Sequence, residues 1–142
     1  VNVPYEIRLS LRQGTVYYMA ERGLSSIEPH YFVVLNQNPL ESKLLLLLVA
    51  TSQVEKAKGR ILRKNLPSES LVVIDDAEYD DFSKESCIDC NKLFNKSLEE
   101  LCEQWREKEV RAHKDLPREL VEKLIEGVKA SPLIVEEDKA LI

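Results

Sequence analysis

The sequence predicts a mainly β protein, a small curled antiparallel barrel closed by a C-terminal helix, and three observations lead there. Short β-branched and aromatic runs separated by polar loops fill the first half of the chain. A continuous apolar run at residues 44–50 is too uniformly nonpolar for a strand with one wet face. Near the end, Leu120, Val121, Leu124, Ile125 and Val128 recur on one face of a helix. No regular alternation of strand and helix accompanies them, which disfavours a doubly wound sheet. The 142 residues, 44% hydrophobic and 32% charged, suit one domain spanning the whole chain, 1–142.

The first strand is expected at residues 15–19 (TVYYM), after Gly14, and the second at 31–35, after the polar loop ERGLSSIEP. Pro29 holds Glu28 extended and so marks the end of that loop. A turn at 36–42 leads into the apolar strand at 43–51, which should be central or covered on both sides. Beyond it, SQVEKAKGR reads as a strand end or arm, and residues 70–74 (SLVVI) as a fourth strand. After the acidic loop DDAEYDDFSKE, residues 87–93 return to the sheet and 98–105 form a short helix. The stretch 103–114 is so charged that its periodicity decides little, and Pro117 suits the first turn of the terminal helix. Trp105 is expected to pack helix against barrel, with partner binding at exposed apolar positions near it as the alternative.

The longest apolar run has seven residues, against roughly 20 for a bilayer span, so no transmembrane helix is expected. The opening residues lack a basic segment leading into an apolar stretch, which makes a cytoplasmic location the expectation. Charge is uneven: residues 1–66 carry nine Lys or Arg against five acids, and 67–142 carry eleven against twenty. The first half therefore offers a phosphate-facing surface within a chain of net charge −5.

Three cysteines do not suggest a disulfide framework. Cys87 and Cys90 form a CxxC in extended rather than helix-starting context, and adding Cys102 and His113 gives only an irregular four-ligand set, so buried thiols are favoured over zinc or redox chemistry. Asp75, Asp76, Asp80 and Asp81 lack the glycine and terminal glutamate of a calcium loop and read as a solvated acidic loop. The glycines are isolated, and HExxH and GxSxG are absent, so phosphate-loop, dinucleotide, zincin and hydrolase-elbow chemistries have no motif. No metal or other cofactor is expected.

A polar cluster remains around the first three strands. Arg22 lies in the first loop, His30 opens the second strand, Thr51 and Ser52 end the apolar strand, and Lys56 and Lys58 follow. Cleaving RNA without a metal needs a proton acceptor for the 2′-hydroxyl, a donor for the leaving 5′-oxygen, and a cation or hydroxyl for the phosphorane. Histidine can move either proton near neutral pH, and arginine can hold two phosphate oxygens. Taken singly, His30 also fits a hydrogen-bonded surface histidine, and Thr51 an ordinary strand residue.

The chain resembles the MazF/PemK family of toxin endoribonucleases. RQGTVYYM is similar to that family's opening strand, HYFVVLNQNP to its second, and LLLLLVATSQVEKAK to its apolar strand ending in threonine or serine. Weaker similarity runs through ESCIDCNKLFNKSLEEL and the helix from about Leu116, covering about residues 11–130. The resemblance implies an SH3-like, strongly curved barrel, usually dimeric. It also implies sequence-selective, metal-independent cleavage of single-stranded RNA to 2′,3′-cyclic phosphate and 5′-hydroxyl ends. A cognate antitoxin protein is the implied partner.

By position, Thr51 takes the place of the family's catalytic hydroxyl, and Gly14 marks entry to the first strand. Where the family has arginine before proline, this chain has His30 before Tyr31, so His30 is assigned proton transfer and Arg22 the phosphate clamp. Ser52, Lys56 and Lys58 are the assigned RNA contacts. The alternative is a catalytically inactive barrel that binds a protein partner or nucleic acid.

Overall fold

The computed structural model describes residues 2–21 and 28–142. In chain order the elements are Tyr5–Ser10 (α1), Val16–Met19 (β1), His30–Val34 (β2), Leu44–Thr51 (β3), Val54–Arg63 (α2) and Leu71–Ile74 (β4). They continue with Ser86–Asp89 (β5), Phe94–Ser97 (β6), Leu98–Arg106 (α3), Arg111–His113 (β7), Arg118–Ala130 (α4) and Glu136–Lys139 (α5).

The long apolar strand organises the sheet. One edge of β3 pairs with β2, matching Phe32 to Val49 and Val34 to Leu47. Its other edge is divided: Leu44–Leu47 takes β6, and Ala50 and Thr51 take β5. Every strand pairing is antiparallel, in the order β4-β5-β3-β2-β1-β7 with β6 also on β3. The central, doubly covered position expected for this run is what β3 occupies. Burying each leucine contributes about 1.5–3 kcal/mol, which is why a strand flanked on both faces tolerates no polar alternation.

Side chains alternate between two cores. Tyr17, Met19, Phe32, Val34, Leu45 and Leu47 face Ile7 and Leu11 from the α1 region and Leu98, Leu101 and Cys102 of α3. Val16, Val33, Leu35, Leu48 and Ala50 face Leu120, Val121, Leu124 and Val128 of α4. Gly14, at the entry to β1, has φ +98°, the left-handed region that glycine adopts without a Cβ penalty, and its N–H donates to the Val34 carbonyl.

Two expectations are corrected. The sheet is open rather than closed into a barrel: among the described residues β4 and β7 end the path without pairing to each other. Helices cover both faces instead, giving a mainly antiparallel sheet in a mixed α/β arrangement. The segment read as a strand end or arm is α2, because Val54, Ala57 and Ile61 recur at helical spacing and are buried, two of them packing with Cys87, Leu71 and Val73. Its remaining positions are mostly charged, which masked the stripe.

The expected return to the sheet is two short strands with a corner between them. Asn91 holds that corner, donating through Nδ2 to Ser70 Oγ and Asp89 Oδ1, each at 2.8 Å, and accepting from Ser131 Oγ at 2.5 Å. The expected short helix is α3, whose first turn is capped by Ser97 Oγ accepting from the Glu100 N–H at 3.0 Å. Pro117 sits just before α4 rather than inside its first turn. No described helix is long and apolar enough to cross a membrane.

Candidate functional site

His30 and Thr51 come to the same side of the sheet. Phe32 and Val34 share a face with Val49 and Leu47, so two-residue alternation puts His30 and Thr51 on that face as well. The match between β2 and β3 ends at Phe32 with Val49, and His30 and Thr51 each lie two residues beyond that pair, His30 matched to Met19 of β1 and Thr51 to Cys87 of β5. His30 is half-buried, and its Nδ1 lies 2.9 Å from the Glu28 carbonyl oxygen. Thr51 is half-buried, and its Oγ1 accepts from the Gln53 N–H at 3.2 Å, a local bond that ends β3 and starts α2.

The other assigned residues fall in three places. Ser52 is exposed directly after β3. Lys56 and Lys58 are exposed on α2, where Lys58 Nζ lies 3.3 Å from Glu55 Oε2. Because Cys87 is matched to Thr51 and to Val73 and packs against α2, that helix lies on the Thr51 face. Arg22 lies outside the described residues.

A second polar constellation occupies the opposite face. Tyr31 is matched to Tyr18, and Tyr18 to Arg111, forming a row across β2, β1 and β7. The Tyr18 and Tyr31 ring centroids are 4.7 Å apart, and the Arg111 guanidinium carbon stands 5.8 Å over the Tyr18 ring. One step along, His113 Nδ1 lies 3.1 Å from Asp81 Oδ2. Tyr79 donates to the Lys114 carbonyl at 2.6 Å and Tyr31 to the Asp81 carbonyl at 3.3 Å. Burial pushes the Tyr31 and Tyr79 phenols up, with Asp81 adding to both shifts.

Asp75, Asp76 and Asp80 are exposed, as the solvated reading expects, but the segment is also anchored to the fold. Tyr79 and Phe82 are buried, and Asp80 and Asp81 pair with Lys114 and His113. The signal was the pair of aromatics among the aspartates, YDDF, which a solvated loop does not need.

The same accounting separates the thiols. Cys90 belongs to the α4 core, Cys102 to the α3 core and Cys87 to the α2 cluster, so the paper set of Cys87, Cys90, Cys102 and His113 does not converge. Among the described residues no group of three or more His, Cys, Asp or Glu is arranged to hold a metal ion. Burial raises the Cys87 thiol to about 11 despite the nearby Arg60, and pushes Cys90 and Cys102 up as well.

Lys96 is a further feature that pattern reading missed. Its side chain is 1% exposed within the α3-side core, where Nζ lies 3.2 Å from Glu21 Oε2 and also contacts Gln104 Oε1. Trp105 packs part-buried against the same core, as expected of it, and also lines a surface groove.

No protein-family model matches the chain, and no curated protein matches it.

Proposed function

We propose that this protein is a metal-independent endoribonuclease of the MazF/PemK type, cleaving single-stranded RNA with sequence selectivity to 2′,3′-cyclic phosphate and 5′-hydroxyl ends. The single observation that supports it is the common face of His30 and Thr51, each two residues beyond the last match of neighbouring strands. The imidazole exchanges the proton of the attacking 2′-hydroxyl or of the leaving 5′-oxygen, and the threonine hydroxyl donates to the phosphorane. Arg22 serves as the phosphate clamp, and Ser52, Lys56 and Lys58 contact the RNA. The homodimer, the cognate antitoxin protein and the cytoplasmic location belong to this proposal.

The test is cleavage of a long mixed-sequence RNA in the presence of a chelator. His30→Ala and Thr51→Ala should each lower the rate by about 10²-fold or more while the folded spectrum is retained. Rates unchanged in both variants would remove this site. Binding without any cleavage by the wild type would favour the inactive RNA- or protein-binding reading.

A further inference from the structure

The chain carries a formal charge of −5, yet three of its cations gather at one edge of the sheet. Arg106, Lys108 and Arg111 line a surface groove of about 590 Å³ together with Trp105, and Glu6 is the one acid in that lining. Arg106, Lys108 and Arg111 are exposed, while Trp105 is part-buried with its indole against the α3-side core. Arg111 links this groove to the other face, because its guanidinium stands over Tyr18. The result is a basic strip with an aromatic ring at each end, wrapping around β7. Such a strip in an acidic half of a chain is not explained by solubility, which the surrounding carboxylates already serve.

Cations that follow a backbone, interleaved with rings on which bases stack, are the recognition chemistry of single-stranded nucleic acid. An acidic peptide would use the cations but gain little from Trp105. We infer that the groove around β7 binds single-stranded RNA, with Lys108 and Arg111 on phosphates and Trp105 offering a stacking surface. It is a binding surface distinct from His30 and Thr51. The inference rests on the nuclease proposal only for the choice of RNA as the polymer.

A fluorescein-labelled 2′-O-methyl oligonucleotide of about twelve nucleotides separates binding from cleavage, since it has no free 2′-hydroxyl. Fluorescence anisotropy should show binding that weakens at least about tenfold in the Lys108→Glu/Arg111→Glu double variant, with a shallower salt dependence. Both positions are exposed, so these reversals leave the core intact. The chain has one tryptophan, and its emission should change on binding. Trp105→Ala should weaken binding by about fivefold or more.

Unchanged affinity in the double variant, or wild-type affinity for the oligonucleotide no greater than for polyglutamate, would overturn the inference. A protein that binds through the groove but never cleaves RNA leaves this inference standing and removes the nuclease proposal. A protein that cleaves with unaltered binding in the double variant does the reverse.

Discussion

The two faces of the sheet are filled by different means. Beneath α4 the core is apolar and close-packed, and Gly127 lets the helix approach so nearly that an added Cβ would sit 2.7 Å from Cys90 Sγ and 2.8 Å from the Glu69 carbonyl oxygen. Beneath α1 and α3 the core admits a lysine, with Lys96 Nζ 3.2 Å from Glu21 Oε2 and 3.8 Å from Met19 Sδ. The difference teaches that one sheet can be set by close approach of a helix on one side and by a fully buried lysine's ion pair on the other. Removing one partner of a buried pair leaves the other desolvated, whereas crowding a close contact forces backbone and side chains apart.

The largest expected effect follows from the charged side. Lys96→Ala should lower stability by about 3–5 kcal/mol in urea titration, because it breaks the buried ion pair with Glu21 and removes the donor to Gln104 Oε1. If electrostatics rather than volume is responsible, Lys96→Met combined with Glu21→Leu should recover most of that loss. A double variant as unstable as the single one would make the two faces alike.

On the close-packed side, Gly127→Ala should cost about 1–3 kcal/mol by the same measurement, since Cys90 and the Glu69 backbone both obstruct the new methyl group. Cys90→Ala in the same chain should relieve part of it. No relief would show that the Glu69 carbonyl alone sets the spacing.

The smallest effect belongs to Tyr17, which is fully buried on the α3 side and within 2.6 Å of Ser10 Oγ. Burial raises its phenol from 10.0 to about 12. The unfolded chain therefore loses this proton first, so the stability that Tyr17 contributes is full below pH 10 and falls as pH rises toward 12. Tyr17→Phe should remove on the order of 2 kcal/mol of that alkaline decline. Cys87, raised from 9.0 to about 11, should still contribute a decline at slightly lower pH. Equal pH slopes in wild type and variant would mean the phenol is not protected.

What could be read from sequence was what a single residue pattern determines. The run at 44–50 announced a doubly covered strand because nothing polar interrupts it, and Leu120, Val121, Leu124 and Val128 announced α4. His30 and Thr51 could be nominated because one opens and the other closes a recognisable strand. The α2 stripe was hidden because Val54, Ala57 and Ile61 are spaced among lysines and arginines. His113 was hidden for another reason: β7 is three residues long inside a charged stretch, and its aspartate partner lies 32 positions away. Pairing of that kind depends on the return path of the chain, as does the open end of the sheet.

The divided edge of β3 has a consequence for biosynthesis. Its neighbour on one side precedes it from the ribosome, whereas the strands that complete the other side arrive only with residues 86–97. Until then a leucine ladder without a single charge stands unsheathed, the type of segment that seeks strands from other chains. Newly made protein should therefore depend on chaperone shelter in the interval before Ser97 emerges, and truncations ending upstream of it should precipitate.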